Sequence, residues 1–243
     1  MDIELRVLIC QLNSIDDLDS NLKQIHELID QIPKSEKIDL ICLPENSLYM
    51  RVREGAKIPG LHLDSKAFQS LEEISRQRNT FVHIGSTPLE SDEKLVNASV
   101  LIEPGLSRRK SYEKIHLFDI ELDGLSPVRE TDLFKHGKFP SVFKVRGWEI
   151  GQAICYDLRF AELFLEYAKQ GVDLVLVPAA FLVETGRAHW EVLLRARAIE
   201  SQCYIVAAAQ AGKHLGCQGG HRMTYGHSLA IDPWGTVIWQ GNS

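Results

Sequence analysis

No run of apolar residues in this 243-residue sequence reaches the roughly 20 that a helix needs to cross a bilayer, so a helical membrane span is not expected. The first residues include Asp2 and Glu4 where a secretory signal carries basic residues. CxxC spacing is missing as well. The five cysteines, Cys10, Cys42, Cys155, Cys203 and Cys217, are an odd set that suggests neither a disulfide framework nor a zinc ribbon. A reducing cytoplasm is the expected compartment. Basic clusters are scarce: 27 Lys and Arg stand against 33 Asp and Glu, a formal net charge of −6. Nucleic acid is therefore not an expected partner. The one short basic run, Arg108-Arg109-Lys110, reads as a solvated hairpin end. There is no Ser/Gly-rich linker, low-complexity stretch or internal repeat, so residues 1–243 are expected to form a single domain.

What is present is an ordinary soluble composition, 44% hydrophobic and 25% charged, in which short apolar runs alternate with amphipathic segments. That alternation predicts an α/β fold. Leu5 to Leu12 and Ile38 to Leu43 read as buried strands. Between them Leu18, Leu22, Ile25 and Ile29 fall at helical spacing up to Pro33. Phe68, Leu71 and Ile74 mark a second helix, followed by a strand from Phe81 to Ile84. Ala98 to Ile102 and Ser111 to Ile115 flank a turn at Glu103-Pro104-Gly105. Ile150 to Ile154 is a strand ending at Cys155, and the helix after it stops at Gly171, a left-handed cap. Leu174 to Val177, a helix from Trp190 to Glu200, Tyr204 to Ala209, and a strand pair across Asp232-Pro233-Trp234-Gly235 complete the chain. Phe181 to His189 reads as a loop, and Leu215 to His221 as a glycine-rich one.

Candidate chemistry gathers where strands end, as in open α/β sheets. Cys155 follows Gly151-Gln152-Ala153-Ile154 and leads into a helix. A nucleophile on such a turn is exposed, with backbone N–H groups beside it for an oxyanion; the competing reading is a buried structural cysteine. A thiol of pKa about 8.5 needs a base or a positive neighbour, and no Cys–His dyad is visible. Glu45, just beyond the strand that Pro44 stops, is expected to be partly desolvated with a raised pKa, which suits a base. It also reads as a plain loop-start carboxylate. Lys114, in Tyr112-Glu113-Lys114-Ile115-His116, is placed to stabilise an oxyanion, or else snorkels at the surface.

Three such segments in one order carry more than any of them alone. Leu43-Pro44-Glu45, Lys114 to Asp119 (Lys-Ile-His-Leu-Phe-Asp) and Cys155 to Phe160 (Cys-Tyr-Asp-Leu-Arg-Phe) resemble the motifs of the nitrilase, or carbon–nitrogen hydrolase, superfamily across essentially the whole chain. The resemblance implies a four-layer α-β-β-α sandwich and a catalytic Glu45, Lys114 and Cys155. It further implies a second glutamate near the lysine. Glu130 in Pro127-Val128-Arg129-Glu130-Thr131 matches that position better than Glu121 or Glu113. The backbone N–H of Tyr156 is the implied oxyanion donor.

The segment from Ala188 to Glu200, with Gln202-Cys203-Tyr204, Ala207 to Gln210 and Tyr225-Gly226-His227-Ser228, is similar to deaminated glutathione amidases more than to ω-amidases. By spacing alone, Trp190, Leu193 and Leu194 are helix core, and Arg195, Arg197 and Glu200 make ion pairs. The resemblance implies hydrolysis of a small non-peptidic amide through a thioester, with deaminated glutathione cleaved to 2-oxoglutarate and cysteinylglycine as the expected reaction. An ω-amidase for 2-oxoglutaramate is the alternative, and a non-catalytic scaffold is the alternative of another class. No cofactor is expected, and no metal at His214, His221 and His227, whose spacing matches no compact ligand motif. A homodimer or higher homo-oligomer is expected. Members of the superfamily usually continue into a C-terminal arm, which is absent or truncated at Ser243.

Overall fold

The computed structural model describes residues 4–53, 55–106, 108–121, 128–217 and 219–242. Asp2, Pro127 and Ser243, named above, lie outside them.

Strands β1 (Val7–Ile9), β2 (Leu40–Cys42), β3 (Phe81–Leu89), β4 (Val96–Ile102) and β5 (Arg109–Glu113) form a five-stranded sheet in that order, parallel across β1-β2-β3 and antiparallel thereafter. Two short strands, β6 (Asp119–Ile120) and β7 (Val128–Arg129), pair with each other. The second sheet combines β8 (Val142–Val145), β9 (Trp148–Gln152), β10 (Leu174–Leu176) and β11 (Tyr204–Ala207). A hairpin of β12 (Ala211–Leu215) and β13 (His221–Tyr225) follows, before β14 (Leu229–Ile231) and β15 (Val237–Gln240) return to that sheet. Its six strands run in the order β15-β14-β11-β10-β9-β8.

The side-chain alternation of the strands sorts the apolar residues into three cores. Leu40, Cys42, Leu174, Leu176 and Ile150 point between the two sheets. Ile41 and Leu43 point the other way, onto Ile25 and Ile29 of helix α1 (Leu18–Asp30) and Phe68, Leu71 and Ile74 of α2 (Lys66–Arg78). Val175 and Val177 face Leu163, Phe164 and Tyr167 of α3 (Ala161–Lys169), and Trp190, Leu194 and Ala198 of α4 (Val183–Ser201). Three apolar interfaces separate four layers, the α-β-β-α sandwich expected from the resemblance. Each fully buried Leu, Ile or Val in these interfaces contributes about 1.5–3 kcal/mol relative to exposure.

The elements read from the sequence recur with shifted ends. Asp17 caps α1 by accepting the N–H of Ser20 at 2.8 Å. Gly171 follows α3 with φ +72°, as a left-handed cap requires. Helix α4 begins at Val183, so most of the 181–189 segment is helical, and Phe181 just before it packs its ring on Trp190 of the same helix. Strand β8 was not recognised. Leu215 and His221, the ends of the glycine-rich segment, pair with each other at the far end of the β12–β13 hairpin. Finally, Arg108 is not a solvated end: its side chain is 14% exposed, pairs with Glu72 at 2.6 Å and lies over the Phe68 ring.

Candidate active site

Pro44 stops β2 and turns the chain so that Glu45 enters the space between the strand ends. A bulge in β3 at Gly85-Ser86 locks this turn. Ser86 N–H donates to Pro44 O at 3.3 Å, and its hydroxyl accepts Asn46 N–H at 3.1 Å. A Cβ on Gly85 would stand 2.1 Å from Leu43 O and 2.4 Å from Pro178 Cβ, so only glycine allows this approach.

The Glu45 side chain is sealed at 3% exposure and fully used. Its Oε1 accepts Lys114 Nζ at 2.9 Å and Asn97 Nδ2 at 3.1 Å, and its Oε2 accepts the N–H of Ala180 at 2.9 Å. Lys114, one residue past β5, is 1% exposed; Asn97 O accepts its backbone N–H at 2.9 Å. Its ammonium also reaches Glu130 at 2.8 Å. Glu130, on a short 3-10 turn after β7, is fixed by Phe118 N–H donating to Oε2 at 2.8 Å. Glu113 instead pairs with Lys110, and Glu121 is exposed, so Glu130 is the acidic neighbour among the three considered.

Cys155 opens a 3-10 turn (Cys155–Arg159) with φ +49°, a left-handed value that costs an L residue roughly 1–2 kcal/mol. Two anchors hold it there. Cys155 N–H donates to Pro178 O at 2.9 Å, and the buried Asp157 carboxylate gathers Ile154 N–H (2.9 Å), the Tyr112 hydroxyl (2.8 Å) and His116 N–H (2.9 Å). Asp157 thereby ties the turn to the segment that carries Lys114. Cys155 lines the same cleft as Glu45, Lys114 and Ala180, and the Glu45 and Lys114 charges act on its thiol. Tyr156 belongs to the first turn of this short helix, where N–H groups lack intrahelical acceptors. Glu45, Lys114, Glu130, Cys155 and Tyr156 all line one cleft of about 750 Å³ that opens to solvent.

Comparison with known proteins follows this geometry. Residues 6–243 match the carbon-nitrogen hydrolase family. The chain belongs to that family. A deaminated glutathione amidase of Yersinia enterocolitica is 37% identical to this hydrolase over 239 residues, 96% of this chain and 82% of the other. The protein of the same name from Mus musculus is 38% identical over 240 residues, 96% of this chain and 72% of the other. The crystal structure of the C. elegans NitFhit protein aligns with a TM-score of 0.82 at 34% identity, over 97% of this chain and 57% of the longer one.

Charge in the hydrolase cleft departs from the sequence expectation. Burial pushes the Glu45 pKa up, as expected, but the Lys114 charge and the hydrogen bonds from Lys114 and Asn97 outweigh it. Glu45 ends below its ordinary value. Burial and the adjacent Glu45 carboxylate drive the Cys155 thiol well above its usual value, with Lys114 opposing. Burial would lower Lys114, but Glu130 and Glu45 raise it well above normal. Glu130 is raised by burial, against the pull of Lys114. At neutral pH the site rests as an ionised Glu45 against a protonated thiol.

Sequence reasoning missed Asn97, Ala180 and two cleft arginines, Arg51 and Arg222. Asn97 is buried in β4 beside apolar neighbours, and that misplaced polarity was the available signal. Arg159 was visible only as part of its motif; its guanidinium lies over Tyr156 and Phe181 and bonds to His189. Among the described residues no group of three or more His, Cys, Asp or Glu is arranged to hold a metal ion. His214 is buried with its ring nitrogens on Ser14 O and Thr224 Oγ1, both at 2.7 Å. No helix among the described residues is long and apolar enough to cross a membrane.

Proposed function

We propose that this carbon–nitrogen hydrolase is a cysteine-dependent amidase that cleaves deaminated glutathione to 2-oxoglutarate and cysteinylglycine. The observation that carries the mechanism is the buried Glu45–Lys114 pair at 2.9 Å, which keeps Glu45 ionised in the cleft that Cys155 also lines. The names of the relatives support the substrate.

Glu45 takes the thiol proton as the Cys155 sulfur attacks the amide carbonyl. The oxyanion that develops is stabilised by Lys114 and the backbone N–H of Tyr156. Collapse breaks the C–N bond, and protonated Glu45 gives its proton to the departing amine. Glu45 then takes a proton from water as its oxygen attacks the thioester. Release of the carboxylic acid restores the thiol, and no redox change occurs. Glu130 orients Lys114 and offsets part of its charge. Exposed Val192 and Ile199 on α4 support the expectation of a homo-oligomer built on that face.

The test is a steady-state comparison of deaminated glutathione with 2-oxoglutaramate, using one enzyme preparation and one assay for 2-oxoglutarate. The expected kcat/KM ratio is at least about tenfold in favour of deaminated glutathione, roughly 1.4 kcal/mol in the transition state. Preference for 2-oxoglutaramate makes the enzyme an ω-amidase and leaves the Glu-Lys-Cys chemistry standing.

A further inference from the structure

The cleft holds two carboxylates, Glu45 and Glu130, around one ammonium, yet three guanidiniums also line it: Arg51, Arg159 and Arg222. Arg222 differs from Arg159 in how it is held. It stands on β13, where alternation separates exposed His221 and Met223 from inward-facing Arg222 and buried Thr224. Its cross-strand neighbour is His214, fully buried on the same inner face. A guanidinium on the inner face of a strand is normally matched by a carboxylate. Among the described residues Arg222 makes no ion pair.

The hairpin that carries Arg222 is firmly seated. A Cβ on Gly186 would stand 2.3 Å from the Tyr225 ring, so glycine there lets α4 and β13 close on each other. At the other end the Cβ position of Gly220 lies 3.2 Å from Arg53 Cβ, which sets the hairpin turn against the segment beyond Arg51. The base of the hairpin follows Gln210, whose Nε2 donates to Glu45 O at 3.0 Å. Arg222 therefore enters the cleft from the Glu45 side, whereas Arg159 rises from the turn of Cys155 itself. In the proposed reaction the acyl half stays on Cys155, and Glu45 hands its proton to the departing amine.

We propose that Arg222 binds a carboxylate on the leaving-group half of the substrate, so that the cleft selects amides whose amine product is an amino acid or short peptide. This rests on the amidase reading above and adds the residue that recognises the leaving group. Cysteinylglycine carries such a carboxylate, and ammonia does not. A forked guanidinium fits a carboxylate through two parallel N–H···O bonds, which a lysine reproduces only in part.

The experiment compares three amides that share the 2-oxoglutaryl group: deaminated glutathione, its C-terminal carboxamide, and 2-oxoglutaramate. Each is assayed with wild type, Arg222→Gln and Arg222→Lys, with melting temperatures measured alongside. Wild type is expected to favour the free carboxylate over the carboxamide by about 10- to 100-fold in kcat/KM, the range for hydrogen bonds to a charged group. Arg222→Gln should compress that ratio to within about threefold, by losing rate on the carboxylate, and Arg222→Lys should fall between. Equal losses on all three amides, or a wild type that cleaves acid and carboxamide alike, overturn the inference and leave the amidase reading in place. A wild type inactive on deaminated glutathione overturns both. If Arg222→Gln does not fold, the wild-type ratio and the Arg222→Lys ratio decide the matter.

Discussion

The Glu45 carboxylate and the Lys114 ammonium meet at 2.9 Å with both side chains all but sealed from water, at 3% and 1% exposure. A buried pair of this kind is costly to assemble and strongly destabilising to break from one side. Here it fixes protonation states: Glu45 stays ionised beside a thiol that burial and the Glu45 charge keep protonated. In the proposed reaction, proton transfer from sulfur to carboxylate then belongs to the attack itself.

That arrangement separates the two glutamates. Glu45→Gln keeps the shape but removes the proton acceptor, so single-turnover acylation should fall by about 10²–10⁴, the range for loss of general-base catalysis. Glu130→Gln should lose less, because an amide oxygen still accepts from Lys114. Equal losses in a rapid-quench measurement contradict the division of roles.

The pH dependence follows from the directions of the shifts. The proposed reaction needs Glu45 ionised, and its pKa lies below the ordinary carboxylate value. In kcat/KM, which reports the free enzyme, the acid limb should therefore fall below about pH 4.5, with a plateau from about pH 5 to 9. On the alkaline side both Cys155 and Lys114 are pushed up, so neither ends the plateau early. An acid limb centred near pH 6–7 would instead mean a base raised by burial.

His83 sits between the sheets, fully buried, with a pKa lowered to about 4 by desolvation, against the hydrogen bond that its Nε2–H donates to Gln152 Oε1 at 3.1 Å. The unfolded chain gains a proton near pH 6.5 that the folded one refuses, so stability falls as the pH drops from about 6.5 to 4. Over that window His83 should remove about 3 kcal/mol. Urea midpoints of wild type and His83→Gln at pH 7 and pH 4.5 measure it, and the variant should show the flatter dependence. Parallel curves contradict the assignment.

Asp157 should matter to stability as much as to rate. It accepts from Ile154, Tyr112 and His116 in a site with no exposure, so Asp157→Asn leaves a donor facing donors. A loss of about 3 kcal/mol by urea unfolding is expected. A change under about 0.5 kcal/mol, within the ordinary range for a surface substitution, would remove Asp157 from the support of the nucleophile turn.

Much of this was legible in the sequence. Buried strands such as Ile38 to Leu43 and Leu174 to Val177 announce themselves, because a strand covered on both faces is apolar throughout. The three motif segments converge because each ends a strand at one end of the sandwich. Strands β12 and β13 were illegible, since their exposed faces mix Lys213, His221 and Met223 with glycine, and that pattern resembles a loop. Arg222 was hidden with them. The first turn of α4 was obscured by Gly186, which reads as a breaker and instead serves a close contact with Tyr225. The direction of the Glu45 shift was out of reach, because it depends on a lysine 69 residues away.

The most direct test of the account is to catch the acyl group. Enzyme is mixed with deaminated glutathione, quenched in acid within the first turnover, digested, and its peptides are weighed by mass spectrometry. A 2-oxoglutaryl thioester should be found on the peptide containing Cys155, formed together with an equivalent of cysteinylglycine, and absent from Cys155→Ala, which should fold normally and not turn over. The acyl group on any other residue, or turnover by Cys155→Ala above a trace, would contradict the assignment of Cys155 as the nucleophile.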